Sequence, residues 1–177
     1  MTGHHPPHIY LSDTCYIITA ATLHHAPFLA SEAAKTYVRD SLRSLVVKFG
    51  IKLYAWVVLD DHYHLLLKTH RGEDLPRFVG RLHGSCSHRI NLLDGKAGRQ
   101  VWHNYWDTCI RTERDFWVRF NYIHYNPVKH GYVQHMEDWP FSSYRHYLKE
   151  KGRDWLYDCW LNHPVTEFAE ADMDVAR

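Results

Sequence analysis

The stretch YAWVVLDDHYHLLLK, Tyr54 to Lys68, decides how the chain is read. Two β-branched or apolar runs, 52–59 and 62–69, flank Asp60-Asp61, a short polar connection of the kind that joins antiparallel strands. Side chains alternate along a strand, so His62 and His64 leave the second strand on the same face. Two convergent imidazoles are half of a metal site, because neutral imidazole is the commonest protein ligand for divalent ions. In a chain with 16 His, the same spacing also arises from two solvent-facing or hydrogen-bonded histidines.

Outward from this hairpin the pattern stays legible. Upstream, Ile9 to Thr22 alternates and is rich in Tyr, Ile and Thr, which predicts a strand. After Pro27, Ser31 is a plausible N-cap for a helix whose Ala34, Val38, Leu42, Leu45 and Phe49 share one face, with Gly50 as its stop. Downstream, a helix is predicted from Leu75 to Leu93. Pro76 sits in its first turn, Phe78, Leu82, Cys86 and Ile90 form one stripe, and Arg77, Arg81 and His88 lie on the other side. A fourth strand, Tyr105 to Arg111, precedes Thr112 and Asp115, a capping-box pattern for a third helix that turns Phe116, Phe120 and Ile123 inward and reaches Asn126-Pro127. Strand, helix, strand, strand, helix, strand, helix is an α+β order with an antiparallel sheet covered by helices. An aromatic extension, Trp139 to Tyr147, completes one domain over residues 1–150; residues 151–177 read as a C-terminal tail, acidic from Thr166 onward.

Composition narrows the function classes. The 177 residues are enough for one domain with its own core, and 45% hydrophobic with 23% charged residues is the balance of a soluble globular protein. No apolar stretch nears the ~20 residues of a membrane-spanning helix. MTGHHPPHIY has no basic start followed by an apolar core, so the expected location is the cytoplasm. Cys15, Cys86, Cys109 and Cys159 form no Cys-x-x-Cys pair, which argues against a zinc ribbon or a disulfide framework. A net charge of +1 gives no global basic signature, so any nucleic-acid site must be local. The 16 His and the 7 Trp, 12 Tyr and 7 Phe suit metal ligation and base stacking, though aromatics more often fill cores.

On the third predicted helix, Tyr122 and Asn126 are four residues apart and share a face. A tyrosine hydroxyl is a weak nucleophile unless the phosphate it attacks is polarised, and an amide oxygen one turn away is placed to be a further ligand to a metal that does so. Alone, the pair reads more readily as a surface Tyr and a helix-ending Asn before Pro127.

Taken together, YAWVVLDDHYHLLLK, YWDTCIR (105–111), NYIHYNPVKHGYV (121–133) and DWPFSSYRHY (138–147) resemble the REP-associated tyrosine transposases. These are relatives of the single-tyrosine insertion-sequence transposases in the His-hydrophobic-His endonuclease superfamily. The resemblance runs from about Ile9 to Tyr147 in matching order. It implies a ferredoxin-like sheet with helices packed on it, His62 and His64 as metal ligands, Tyr122 as nucleophile, and Asn126 as third ligand where mobile relatives have Gln. It further implies Mg²⁺ or Mn²⁺, single-stranded or hairpin DNA as partner, and cleavage and rejoining through a 5′-phosphotyrosine. Asp60-Asp61 departs from the Asp-Asn or Pro-Glu more usual before the first His. Arg77, Arg81, His88 and Lys68, the last extended by His70 and Arg71, are candidate contacts to a sugar-phosphate backbone. The exposed aromatics of 139–147 are candidates for stacking on bases, with core packing the stronger expectation for Trp139 and Phe141. A non-cleaving hairpin-binding protein and a small-molecule metal phosphoesterase are the competing readings, and monomer and homodimer both stay open.

Overall fold

The computed structural model describes residues 11–165. The start of the first predicted strand and the acidic stretch from Thr166 lie outside the described residues. Nine principal elements follow in order: β1 (Thr14–Thr22), α1 (Glu32–Lys48), β2 (Lys52–Val58), β3 (His62–Thr69), α2 (Asp74–Leu93), β4 (Trp102–Ile110), α3 (Glu113–Lys129), α4 (Tyr144–Lys151) and α5 (Arg153–Asn162). Capping chemistry sets the helix starts: Ser31 Oγ accepts from the Ala34 amide and Thr112 Oγ1 from the Asp115 amide, both at 3.1 Å. At the end of α1, Gly50 takes a φ of 61°, which a residue with a Cβ adopts only under strain.

All strand pairs are antiparallel, in the order β2-β3-β1-β4, and β1 sits centrally because it pairs with both β3 and β4. This is the ferredoxin-like order. One sheet face carries Tyr16, Ile18, Tyr63, Leu65 and Leu67 into a core with Val38 and Leu42 of α1 and Phe78, Leu82, Cys86 and Ile90 of α2. The other carries Ile17, Val57 and Leu66 against Phe120 and Ile123 of α3. At ~25 cal/mol per Å² of apolar surface, each fully buried Phe or Leu contributes roughly 1.5–3 kcal/mol, enough to hold both helical layers to the sheet. His62 and His64 therefore face the α3 layer, because they alternate with Tyr63.

Four boundaries differ from the sequence reading. β1 begins at Thr14, with residues 11–13 described but outside the strand. β4 begins at Trp102, before Tyr105, because the buried Trp102 ring stacks on His83 at 4.5 Å and meets Tyr63 edge-on at 5.4 Å. α3 does not stop at Pro127 but runs to Lys129. The proline removes one helical donor in the last full turn, and the end is closed by His130 N–H to Asn126 O, Tyr132 N–H to Pro127 O and a left-handed Gly131, φ 73°. The tail set apart from residue 151 instead opens with α5, which buries Leu156 and Cys159 and whose end accepts two bonds from Asn121 Nδ2 on α3, at Cys159 O (3.0 Å) and His163 O (2.9 Å). The aromatic extension is packed as well: Phe141 is in the core, Trp139 Nε1 donates to Val58 O, and 141–143 close the outer edge of β2 by Val58 N–H to Phe141 O and Ser143 N–H to Trp56 O. Covering that edge leaves no unpaired strand to template aggregation there.

Candidate active site

The hairpin supplies the first two side chains. His64 is set opposite Thr19 of β1, and their side chains meet: His64 Nδ1 and Thr19 Oγ1 are 2.8 Å apart in a buried contact. His62 Nδ1 lies 2.7 Å from Asp61 Oδ1. In both rings the Nδ1 is occupied, and Nε2 is the nitrogen left to face inward; the rings meet edge-on, centroids 5.1 Å apart. Ligating histidines usually hold the far ring nitrogen in this way, because it fixes tautomer and ring orientation. Burial first, and then the charges of His62, His130 and Lys129, push His64 well below the ordinary imidazole range, so it stays in the neutral form that a ligand must have.

α3 supplies the rest. Asn126 is fully buried, with Oδ1 at 3.1 Å from His62 Nε2 and Nδ2 without a hydrogen-bond partner. If His62 Nδ1 donates to the Asp61 carboxylate, a neutral ring presents a lone pair at Nε2, and that lone pair faces another acceptor, Asn126 Oδ1. Two acceptors this close are reconciled by a proton on Nε2, by a turned amide that presents its unpartnered Nδ2 as the donor, or by a cation between them. Their 3.1 Å separation is also close to the ligand-to-ligand edge of about 3.0 Å in an octahedral ion with 2.0–2.1 Å bonds. Two neutral imidazoles and an amide oxygen thus fit a divalent ion. Among the described residues no group of three His, Cys, Asp or Glu could hold one, so the amide is needed to complete the set.

Tyr122, one turn before Asn126, places its ring edge-on to His64 with centroids 5.6 Å apart. Lys129 reaches back along the same face: its Nζ is 3.4 Å from the Tyr122 hydroxyl and 5.2 Å from the ring centroid. The four residues that sequence singled out, His62, His64, Tyr122 and Asn126, are therefore neighbours in one chain.

The sequence missed four neighbouring groups, Asp61, His25, Lys129 and His130. In the sequence Asp61 is only part of a short polar connection, yet in the fold its carboxylate meets His62 Nδ1 and orients the ring. Burial alone would push its carboxyl up, but the bonds and charges of His62 and then His25 overcome this and bring it down to about 2. His25, 3.0 Å from the other carboxylate oxygen, is aimed there by a turn in which His24 and His25 both have positive φ, 54° and 51°. Such backbone costs roughly 1–3 kcal/mol per residue and persists only where its surroundings enforce it. Lys129 was hidden by ending the helix at Pro127, although Tyr122, Asn126 and Lys129 follow an i, i+4, i+7 spacing that marks one face. His130 lies beside His62, centroids 5.0 Å apart.

The candidate DNA contacts do not join this group. Arg77, Arg81 and His88 project from α2, on the opposite side of the sheet, and Arg77 is within 3.7 Å of both Glu73 and Asp74. Lys68 is on the catalytic face of β3, but six residues on, ~20 Å along the strand, and paired with Asp13 at 3.8 Å.

Comparison with known proteins gives the family. The family described as "Transposase IS200 like" matches residues 11–126. A REP-associated tyrosine transposase of Escherichia coli K12 is 33% identical over 142 residues, 74% of this chain and 77% of that protein. The ISDra2 transposase TnpA of Deinococcus radiodurans is 30% identical over 78 residues, 42% of this chain and 56% of that one. Among solved structures, a REP-associated tyrosine transposase bound to a REP hairpin shares the fold, with a TM-score of 0.73 and 22% identity over 94% of this chain and 96% of that one. With the family's pattern spanning the sheet and the helix that carries Tyr122, the chain belongs to the IS200-like transposases and is similar along most of its length to their REP-associated tyrosine branch.

Proposed function

We propose that this transposase cuts and rejoins one strand of hairpin-bearing DNA, with Tyr122 as its nucleophile and a Mg²⁺ or Mn²⁺ ion held by His62, His64 and Asn126. One observation carries the reading: the Tyr122 ring lies edge-on to His64, centroids 5.6 Å apart, while the Nδ1 atoms of both histidines are engaged elsewhere, which leaves their Nε2 atoms for a ligand on the side of the sheet that α3 covers. Two imidazoles and an amide would by softness also suit zinc; the family resemblance favours the harder ions. When bound, the ion would draw charge from the phosphoryl oxygens and lower the barrier to attack at phosphorus.

The chain's own residues do the remaining work. α3 holds Tyr122 rigidly, so its oxygen need not search for the phosphate, which removes part of the entropic barrier. Lys129 Nζ, 3.4 Å from that oxygen, stabilises negative charge as the phenolic proton leaves. The Tyr122 Oη–P bond forms as the bond from phosphorus to the 3′ oxygen breaks, and the departing oxygen takes up a proton. The products are a 5′-phosphotyrosine and a free 3′ hydroxyl. A phenolate is a good leaving group, so a 3′ hydroxyl can attack back and rejoin strands without ATP. The solved relative's complex with a REP hairpin supports hairpin DNA as the substrate.

The test labels a hairpin substrate separately on each side of the cut and, after incubation with Mn²⁺ and denaturation, follows which label migrates with protein. Only the downstream strand should shift, and Tyr122→Phe should shift none. Attachment through the upstream strand, or cleavage that survives in the Phe variant, would rule the mechanism out.

A further inference from the structure

A second site lies outside the catalytic centre. A groove of about 380 Å³ runs between α1, the outer edge of β2 and the start of α4. Arg39, Arg43 and Arg145 line it and, among the described residues, no carboxylate does, which is notable in a chain whose net charge is +1. Asp40 is adjacent, but it is shared by two of the arginines, at 2.9 Å from Arg39 and 3.9 Å from Arg43. Arg145 is held differently. Its Nε and Nη2 donate to the main-chain oxygens of Glu137 and Asp138 at 2.6 and 3.3 Å, which fixes the guanidinium without neutralising it. A pre-oriented, uncompensated guanidinium is suited to a phosphate.

The groove also contains an aromatic face. Trp56 lines it half-buried and, among the described residues, stacks on no other ring, unlike Tyr147, which is stacked with Trp155. Indole and guanidinium side by side are what single-stranded nucleic acid uses: bases on the ring, phosphates on the cations. The groove is also tied to the catalytic helix. Ser143 N–H donates to Trp56 O at 2.9 Å, while the Ser143 hydroxyl meets His124 Nε2 of α3 at 2.7 Å.

We propose that this groove binds single-stranded DNA flanking the segment that Tyr122 cuts, with Arg39, Arg43 and Arg145 on phosphates and a base against Trp56. The inference rests on the transposase reading above. It places the strand's path at the β2 edge rather than along α2.

The experiment measures fluorescence anisotropy on the full chain in a Tyr122→Phe background without divalent ions, using a labelled DNA hairpin with and without single-stranded extensions over a salt series. The extensions should tighten binding by the parent. The double variant Arg39→Gln/Arg43→Gln, in exposed or half-exposed positions of α1, should lose about tenfold for the extended DNA. Its salt slope should fall by about 1.4, from roughly 0.7 for each lost phosphate contact on a single strand. Affinity for the bare hairpin should stay within twofold. Trp56→Leu should weaken the extended DNA without changing the slope. Unchanged affinity and slope in the arginine variant, equal weakening on the bare hairpin, or displacement of the DNA by an acidic peptide at equal charge would overturn the inference while leaving the catalytic reading intact. Failure of the parent to bind either DNA would instead overturn the transposase reading and this inference with it.

Discussion

Replacing Asp61 by Asn keeps the shape of the loop and removes one charge, so it isolates what the carboxylate does for His62. Asp61 Oδ1 is 2.7 Å from His62 Nδ1 and Oδ2 is 3.0 Å from His25 Nδ1. Bringing this carboxyl from its ordinary 3.8 down to about 2, against burial that opposes the change, corresponds to about 2.4 kcal/mol of net favourable interaction. His62 supplies the larger share, which leaves roughly 1.2–2 kcal/mol between Asp61 and the metal-facing ring. An amide oxygen would retain a weaker, uncharged bond. Mn²⁺ should therefore bind the Asp61→Asn protein about 5- to 30-fold more weakly, within the 10- to 100-fold range typical of lost outer-shell partners or just below it. Isothermal titration with Mn²⁺ in the absence of DNA reads this directly, and His25→Gln, which leaves the Asp61–His62 bond in place, is the control and should lose less. An affinity for Asp61→Asn within twofold of the parent, or a larger loss in His25→Gln, would refute the assignment of Asp61 as the group that orients His62.

Three further outcomes follow from the same geometry. His62→Ala should abolish cleavage on a denaturing gel yet spare hairpin binding in a gel shift, because DNA contacts are spread over many residues while the ion serves the chemistry; equal loss of both would make the histidine structural. Lys129→Met should slow single-turnover cleavage by about 10- to 100-fold with Mn²⁺ affinity unchanged, and Lys129→Arg should recover part of the rate, the rates of both variants being compared with the parent at saturating DNA. Acid should weaken the fold through His83, which burial against Tyr63 and Trp102 pushes down to about 4. A buried neutral His contributes stability that is complete above its unfolded value of 6.5 and is lost as pH falls from there toward 4. His64 and His124, also held down by burial, act in the same direction, so urea unfolding should show lower stability at pH 5 than at pH 7, and His83→Gln should shrink that difference by roughly 2 kcal/mol.

The hairpin and the third helix were legible because their signals are local. Period-two alternation placed His62 and His64 on one face and helical spacing placed Tyr122 above Asn126, but each pair alone also had a structural reading; it was the resemblance of four linked motifs to the REP-associated tyrosine transposases that singled out these four side chains. What could not be read is set by contacts between elements distant in sequence. Asp61 gained its role only when the β2–β3 loop folded beside His25, which is 36 residues away along the chain. Trp102 entered β4 because Tyr63 and His83 offered it a packing surface, not because of its neighbours in sequence. The charged stripe on α2 followed helical spacing correctly, but spacing cannot tell which side of the sheet a helix will cover.

How α3 is anchored bears on how the nucleophile acts. Tyr122 and Asn126 share one helix, and that helix is tied on two sides: His124 to Ser143, in the segment closing the β2 edge, and Asn121 to the end of α5. Each of these contacts is buried at least in part, where leaving a polar partner unsatisfied costs about 1–3 kcal/mol, so lifting α3 off the sheet would break several such bonds together and expose Phe120 and Ile123 to water. Tyr122, the proposed nucleophile, is thereby held beside the histidines of its own chain, and one copy contains every side chain proposed for the chemistry. On the proposed mechanism what must move is the DNA, whose two ends are exchanged at Tyr122, and if the groove beside β2 grips the flanking strand as proposed, it would keep the cut end from diffusing off before it is rejoined.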